Sequence, residues 1–596
     1  MNQHTTARII DVAMGRAAPD LYIKNCRLVN VFCGVINENI CIGVSGGIIA
    51  WVGEDLLQPG PATMILDAGG SFVMPGFLDG HMHIESSMLT FREFSRAVLR
   101  WGTTTIFPDP HEIANVCGIP GVQALLAESR QSYLRSFMLL PSCVPALRGC
   151  ETPGAAIDAA SYCQAIQDPA FWGMGEMMNY PGVVTKDAAV LAKIAATRDA
   201  GKIMTGHITT DNAPMLNAYA AAGLDSCHES VTAEQVLRKL QVGIYAMIRE
   251  GSAWRDVKEC IRPFVAGNLD TSHVILVTDD AHADTIAAYG HMNHVINRAI
   301  EEGLDPVKAV QMATINPARY YGLSHQIGCV APGRFADLVI APEIAKILPE
   351  TVISGGRVVY SQQRGYHIEF PESHFPEFMR SSLKIGRSLT AKDFDILMPV
   401  DTGTVTYPVI KVQENSAVTY REDTEVRVAN GTVLIDIDRD ILKVACIDRH
   451  SGRGALAAAL VRGFGLKSGA IAQTIAHDCH NLIVLGTNHA DMLAAVEQLK
   501  ASGGGICAVA NGRLIAHHKL EIGGLMSAAP AEQVVASLQQ LKAAFAQLGC
   551  GMQSPFMTLA LLALPVIPHL RLTDQGLFDV DQMKFIKVYS KDATAV

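Results

Sequence analysis

Short apolar runs alternate with helical stretches between residues 75 and 324, and no other feature restricts the fold of this chain as strongly. Each run has the length of one buried strand, as in "TTTIFPDP", "KIMTGHI" and "HVILVTDD". Strands that alternate with helices pair in parallel, because each helix returns the chain across the sheet. A length of roughly 250 residues fits a closed barrel, so we predict an α/β fold with a (β/α)8 TIM barrel.

Helix signals support this alternation. In "GHMNHVINRAIEEG" the apolar residues recur at helical spacing, and Gly303 predicts the end of the helix. Asp305 followed by Pro306 predicts the start of the next helix, because aspartate caps a helix and proline fits its first turn.

The flanking regions predict two further domains. Residues 21–74 and about 328–361 are rich in short strands with Gly turns, so we expect residues 1–74 and 325–385 to form one small composite β-sandwich. Residues 386–596 mix strands such as "NLIVLGT" with helices such as "PAEQVVASLQQLKAAFAQLG", which predicts a C-terminal α+β domain.

Charge and cysteine content exclude several classes of partner. The net charge is −10 without a run of lysine or arginine, which argues against binding nucleic acid or an anionic membrane surface.

The 14 cysteines are scattered singly, as in reduced intracellular proteins. No segment reads as a signal peptide or a membrane span, since "FMTLALLALPVIPHL" is short and broken by proline. We therefore expect a cytoplasmic protein with a small-molecule substrate.

Polar side chains stand at the end of five of the apolar runs. In a barrel enzyme these strand ends are where the catalytic residues lie. In chain order they are His81, His83, Glu176, His207, His228 and Asp279. Side chains alternate along an extended segment, so His81 and His83 point in the same direction and can both bind one metal ion. Each signal alone also fits a structural role: a hydrogen-bonded histidine, half of an ion pair for Glu176, or a helix cap for Asp279. Their recurrence at one structural position favours a metal site.

The number of ligands indicates more than one ion. Six are too many for a single ordinary site that keeps an open position, and two ions sharing a bridging carboxylate account for them better. Mixed imidazole and carboxylate ligation suits Mn, Fe or Zn.

Longer motifs resemble the bacterial adenine deaminase family of the amidohydrolase superfamily over nearly the whole chain. They include "DGHMHIESSM", "GTTTIFPDPHEIANVCG", "HESVTAEQVLRKLQVGIYAMIREGS", "VTDDAH", "MATINPARYYGL", "APGRFADLVI" and "EIGGLMS". Many superfamily members bridge their metals with a carbamylated lysine where this chain has Glu176. The HxxE of mononuclear deaminases is replaced by "HITT", from His207 onward. Both departures imply two metals bridged by Glu176.

The resemblance implies hydrolysis of adenine to hypoxanthine and ammonia, through a hydroxide held between the metals that attacks purine C6. It implies two divalent ions, Mn²⁺ or Fe²⁺, with Zn²⁺ as a third candidate, and we expect a homodimer. Asp279 is the candidate for carrying the proton from the hydroxide to the leaving amine, and pure metal ligation is its alternative role.

Loop residues after the first two strands could contact the purine, and the candidates are Glu85, Ser86, His111 and Asn115. Their alternative role is to cap helices or orient the ligands. We expect structural roles for His477, His480 and His489, because no predicted barrel strand presents them.

Two other functions remain open. One is a binuclear amidohydrolase that acts on a cyclic amide or an N-acetyl substrate. The other is a catalytically silent metal-binding scaffold, against which the intact set of six ligands counts.

Overall fold

The computed structural model describes residues 3–267, 269–414 and 416–586. A helix, α1 (Gln3–Ala13), precedes the strands that begin the first sheet. These strands are β1 (Leu21–Asn30), β2 (Val35–Ser45), β3 (Ile48–Gly53), β4 (Met64–Asp67) and β5 (Phe72–Pro75). β1 pairs antiparallel with β2 and parallel with both β4 and β5.

Strands alternate with helices through the middle of the chain, which confirms the predicted α/β pattern. The strands are β6 (Phe77–Met82), β7 (Thr103–Pro108), β8 (Arg135–Ser136), β9 (Leu139–Leu140), β10 (Gly173–Met177), β11 (Ile203–Gly206), β12 (Ser226–Cys227), β13 (Tyr245–Arg249) and β14 (Val274–Val277). The helices are α2 (Phe91–Leu99), α3 (His111–Ser129), α4 (Ala159–Ala165), α5 (Tyr180–Thr185), α6 (Ala188–Asp199), α7 (Ala213–Ala221), α8 (Ala233–Gln241), α9 (Val257–Cys260), α10 (Arg262–Ala266), α11 (Ala283–Tyr289), α12 (Met292–Glu301), α13 (Pro306–Met312) and α14 (Ile315–Tyr320). A 3₁₀ turn (Glu85–Ser87) follows β6.

The predicted boundary between α12 and α13 is confirmed. Gly303 lies just beyond α12 with a φ of 99°, in the left-handed region that glycine enters without strain. The side chain of Asp305 then accepts a hydrogen bond from the Lys308 backbone N–H at 3.0 Å and caps α13.

All pairs among these central strands are parallel. They join β6 to β7, β7 to β8, β9 to β10, β10 to β11, β12 to β13 and β13 to β14. A parallel bridge between Met82 and Asp279 links the first strand to the end of the last. The backbone N–H of Gly206, at the end of β11, donates to Ser226 Oγ in β12 at 3.3 Å. The carboxyl ends of the strands therefore meet on one side of the core.

The chain then returns to the first sheet. The returning strands are β15 (Leu338–Ala341), β16 (Thr351–Ser354), β17 (Arg357–Ser361) and β18 (Gly365–Tyr366), followed by α15 (Glu377–Arg380). β15 pairs antiparallel with β5, so that Val339 lies opposite Met74. Gly356 has a φ of 77°, and a Cβ there would lie 2.7 Å from the Cα of Gly47. Glycine at both positions allows the first and last parts of this sheet to pack closely.

A second large sheet forms the C-terminal segment (residues 386–586). Its strands are β19 (Gly403–Lys411), β20 (Tyr420–Ala429), β21 (Thr432–Val433), β22 (Leu442–Ile447), β23 (Leu456–Arg462), β24 (Ala470–Gln473), β25 (Leu482–Gly486), β26 (Gly505–Ala510) and β27 (Arg513–Lys519), in the spatial order β21-β20-β19-β23-β22-β25-β24-β26-β27. A small antiparallel sheet follows, with β28 (Leu570–Thr573), β29 (Gly576–Asp579) and β30 (Lys584–Phe585). The helices are α16 (His489–Ser502), α17 (Ala531–Gln547) and α18 (Pro555–Leu561), and a 3₁₀ turn spans Ala391–Phe394.

Polar contacts fix the C-terminal segment against the central strands and helices. Asp574 accepts hydrogen bonds from the backbone N–H and the hydroxyl of Thr152, at 2.9 and 2.6 Å. The backbone N–H of Ser527 donates to the carbonyl of Met88 at 2.9 Å, close to the loop that follows β6. The C-terminal segment is thereby held beside the carboxyl ends of the central strands. In the part of the chain that the structure describes, none of the helices combines the length and apolar character needed to cross a bilayer.

Candidate active site

The structure brings together all six side chains that the sequence predicts as metal ligands. They stand at or just after the carboxyl ends of β6, β10, β11, β12 and β14 and are His81, His83, Glu176, His207, His228 and Asp279. Their ligand atoms form overlapping groups, and within each group the atoms lie within 4.8 Å of one another. The pairing of parallel strands explains this convergence, because it places all their carboxyl ends on one side.

The carboxylate of Glu176 lies between two groups of histidines. Its Oε1 is 3.6 Å from His83 Nε2, while its Oε2 is 2.7 Å from His207 Nδ1 and 3.1 Å from His228 Nε2. Each carboxylate oxygen is therefore directed at a different group. A carboxylate that bridges two neighbouring metal ions has to present one oxygen to each of them, and Glu176 is oriented in this way.

The donor atoms fit a metal ion. Asp279 Oδ1 lies 3.4 Å from His81 Nε2 and 3.2 Å from His83 Nε2. His81 Nε2 is buried and has no hydrogen-bond partner among the described residues. The Nδ1 of His83 is 2.7 Å from the carbonyl of Asp109, to which it donates, so its Nε2 is the ring nitrogen that faces the carboxylates. Imidazole lone pairs and carboxylate oxygens that face one another in a buried site are well suited to a divalent cation.

Both central carboxylates are ionised, which is the form that binds metal. Burial would raise the pKa of Glu176, but His207 and His228 hold that pKa well below its usual value. Burial likewise opposes the charge on Asp279, but the nearby imidazoles of His228, His81 and His83, together with Arg249, hold the pKa of Asp279 well below its usual value.

Arg249 is a member of this site that our sequence analysis missed. Its Nη1 donates to Asp279 Oδ2 at 3.1 Å, and its Nε donates to Asp256 at 3.0 Å. The same guanidinium also pairs with Glu229. Arg249 ends β13, so the rule that located the ligands, a polar residue at the end of an apolar run, would have found it in "GIYAMIRE".

Backbone geometry also marks Asp279. This residue has a φ of 57°, a left-handed conformation that is uncommon for residues other than glycine. Its backbone N–H donates to the carbonyl of His81 at 3.1 Å, and its carbonyl accepts from the N–H of His83 at 3.2 Å. These bonds hold Asp279 beside the first pair of histidines despite the strain, and such strain is concentrated at functional sites.

A cavity of about 500 Å³ is lined by five of the six predicted ligands, all except His81. One wall carries the histidines and carboxylates of the central strands, and the opposite wall belongs to the C-terminal segment. That second wall contains apolar side chains, among them Val418, Leu564 and Ile567, and three polar residues, Ser416, His477 and Asp478. A volume of this size, with a largely apolar wall opposite convergent polar groups, is typical of small-molecule sites.

Of the four predicted substrate contacts, only His111 lines this cavity among the described residues. His111 Nε2 lies 3.4 Å from Glu176 Oε1, and its ring packs edge-on against His83 at 4.5 Å. Burial lowers the pKa of His111 well below its usual value, and His83 adds to the effect. Asn115 lies behind His111 and donates to the His111 carbonyl at 2.9 Å.

Glu85 and Ser86 lie behind the cavity wall. Glu85 Oε1 accepts from the backbone N–H of Ile113 at 3.0 Å, at the beginning of α3. The hydroxyl of Ser86 lies 2.7 Å from Glu112 Oε1 and also within hydrogen-bond reach of Asp280. These contacts correspond to the alternative role, in which such residues orient their neighbours.

The C-terminal histidines occupy different environments. His480 is buried, with Nε2 3.8 Å from Glu112 Oε2, and His489 lies on α16, 2.8 Å from Lys443 Nζ. His477 lines the cavity, so the expectation of a purely structural environment does not hold for it. His477 lies in a loop of the C-terminal sheet. The pattern of central strand ends in the sequence therefore does not predict its position beside the cavity.

A parallel α/β core with histidines and carboxylates at its strand ends defines a metal-dependent hydrolase of the amidohydrolase class, and residues 72–359 match the amidohydrolase family. Residues 416–584 match the adenine deaminase C-terminal domain. The chain is 44% identical to an adenine deaminase of Moorella thermoacetica over 582 residues, which is 98% of this chain and 97% of that protein. It is 41% identical to adenine deaminase 3 of Rhizobium meliloti over 585 residues, 98% of each chain. The chain therefore belongs to the adenine deaminase family.

Proposed function

We propose that this protein hydrolyses adenine to hypoxanthine and ammonia. The observation that carries the proposal is the match to adenine deaminases over 97–98% of their length, which includes the C-terminal segment. This extent matters because an amidohydrolase core alone supports many reactions, and only the site decides the substrate. The predicted ligands, gathered at one cavity, would supply the chemistry that the reaction needs.

We further propose that the site holds two divalent metal ions, Mn²⁺ or Fe²⁺, with Zn²⁺ as a third candidate. His81, His83 and Asp279 would hold one ion, and His207 and His228 the other. Glu176 would bind both, as the directions of its two oxygens suggest.

In the proposed reaction, Asp279 moves one proton. The metal ions, when bound, supply a water molecule that is activated for attack at neutral pH. The ionised Asp279 carboxylate accepts a proton from this water as its oxygen adds to C6, and the ring nitrogen beside C6 takes up the second water proton. Asp279 then gives its proton to the amine nitrogen, the C6–N bond breaks, and ammonia leaves. Arg249 holds Asp279 in place through its hydrogen bond at 3.1 Å.

His111 is the proposed substrate contact on the central side of the cavity, while Glu85, Ser86 and Asn115 support that wall from behind. Burial favours the neutral form of His111, so each ring nitrogen is either a donor or an acceptor of one hydrogen bond. A neutral imidazole beside the ligands can hydrogen-bond the purine edge without adding charge.

We also infer that the central strands close into a (β/α)8 barrel in which the short β8 and β9 together supply one strand. The bridge between Met82 and Asp279 supports this closure. The proposed domains are residues 1–74 and 325–385 for the composite β-sandwich, 75–324 for the barrel, and 386–596 for the C-terminal domain. The pairing of β5 with β15 supports the composite domain.

The free base should be the preferred substrate. We expect kcat/KM for adenosine to be about 100-fold or more below that for adenine, because a ribose has to enter a cavity that the C-terminal wall closes around the base. Ammonia release from both compounds, and from a cyclic amide, should be measured on one manganese-loaded preparation. Comparable turnover of adenosine, or no turnover of adenine with metal bound, would favour the alternative of a cyclic-amide or N-acetyl hydrolase.

A further inference from the structure

Asp478 presents a buried carboxylate to the cavity from the C-terminal segment. The residue is only 2% exposed, and its Oδ2 has no hydrogen-bond partner among the described residues. His111 Nδ1 lies 3.8 Å from this Oδ2, and His477 Nδ1 lies 3.7 Å from the other oxygen, Oδ1. Both distances are too long for a hydrogen bond.

The other carboxylates that line the cavity each have a polar partner within the protein. Arg249 pairs with Glu229, Asp256 and Asp279, and His207 lies against Glu176. The hydroxyl of Ser86, which has one proton to donate, lies within hydrogen-bond distance of both Glu112 and Asp280. Asp478 differs from these, because its buried Oδ2 has no hydrogen-bond partner among the described residues.

A carboxylate that is removed from water without a donor is costly, so a donor supplied by the ligand would stabilise the bound state. Adenine offers N–H groups at two places, the amine on C6 and the five-membered ring. Because C6 is the reacting atom, the amine end must face the metal ligands. The ring of His111 lies between Asp478 and the metal ligands. Its Nε2 is 3.4 Å from Glu176 Oε1, and its Nδ1 is 3.8 Å from Asp478 Oδ2.

We infer that Asp478 accepts a hydrogen bond from the N–H of the five-membered ring of adenine, and that the C-terminal segment thereby determines the preference for a free base. This inference rests on the proposed function. A nucleoside carries its sugar on that nitrogen and has no N–H to donate there. Val418, Leu564 and Ile567 line the same wall and can pack on the flat faces of the base.

The test is the binding of hypoxanthine, a product that keeps the ring N–H and is not turned over. In the manganese-loaded enzyme, Asp478→Ala should weaken hypoxanthine binding about 10- to 100-fold in calorimetry, as expected when a buried N–H loses its acceptor. The variant should lower kcat/KM for adenine by a similar factor, mainly through KM, with an unchanged metal content. Asp478→Asn keeps a carbonyl oxygen that can accept the bond, so its loss should be smaller.

Two comparisons separate a specific contact from a structural role. 9-Methylhypoxanthine lacks the ring N–H, so it should bind wild type and Asp478→Ala with similar affinity. Asp574→Asn changes another buried carboxylate of the same segment, which bonds Thr152 away from the cavity. It should lower the melting temperature and leave hypoxanthine binding unchanged.

The inference is overturned if Asp478→Ala and Asp478→Asn bind hypoxanthine as the wild type does. It is also overturned if both variants lose affinity for hypoxanthine and 9-methylhypoxanthine by the same factor, because Asp478 would then only shape the wall. Failure of the proposed function has a different signature, namely a metal-loaded wild type that releases no ammonia from adenine.

Discussion

Replacing Asp279 with asparagine should lower kcat for adenine by about 10²- to 10⁴-fold, the usual contribution of a general acid-base group. Asparagine keeps the size of the side chain and one oxygen that can ligate a metal, but it cannot take up and release the proton readily. The pKa of Asp279 lies well below its usual value even though burial opposes this, because His228, His81, His83 and Arg249 favour the charged form. The wild-type carboxylate is therefore in its charged, unprotonated form before the reaction begins.

Metal content and kcat should be measured on the same preparation of Asp279→Asn. We expect the metal content to fall much less than the rate, since His81 and His83 remain as ligands on that side of Glu176. If the rate instead falls in proportion to metal occupancy and returns when metal is added back, Asp279 is only a ligand and the proton transfer assigned to it is wrong.

Glu176→Ala should have a larger effect, with a loss of activity beyond the roughly 10²–10⁴-fold range of a single proton-transfer group. This side chain places one oxygen toward His83 and the other toward His207 and His228. Its removal would take a ligand from both proposed ions and the anionic bridge that would reduce the repulsion between them. The metal content should fall below two ions per chain, and elemental analysis of the purified variant measures it.

Glu176→Gln is the matched variant, because it keeps the shape and one oxygen but removes the negative charge. We expect its metal content to lie between those of the wild type and Glu176→Ala. Full occupancy by two ions together with near-normal turnover in Glu176→Ala would contradict the assignment of Glu176 as the bridge.

The convergence of the six candidate ligands could be predicted from the sequence, because each of them lies at or just after the end of an apolar run. A buried parallel strand has a recognisable composition, and the geometry of such sheets places all the carboxyl ends together. His207, which follows "KIMTG", and His228, which follows "GLDSC", needed no further information. The same rule applied to Arg249 would have added the cation that holds Asp279.

The opposite wall of the cavity could not be predicted in this way. Asp478 and His477 follow β24, in a sheet of the C-terminal segment that has its own pattern of strands. Which loop of that sheet faces the cavity depends on contacts between distant segments, such as the bonds from Thr152 to Asp574. These contacts have no periodic signature in the sequence.

The loop after β6 shows a second limit of sequence-based prediction. The polar residues of "HIESSM" are equally suited to contact a substrate or to hold their neighbours. The path of the backbone decides between these roles, and here it turns Glu85 toward the beginning of α3 and Ser86 toward Glu112.

The most direct test of two-metal deamination is a titration of metal-free protein with Mn²⁺ while the release of ammonia from adenine is recorded. We predict that the rate rises until about two equivalents per chain are bound and then stays constant, with hypoxanthine and ammonia formed in equal amounts. A full rate at one equivalent, or a rate that does not depend on metal, would contradict the account.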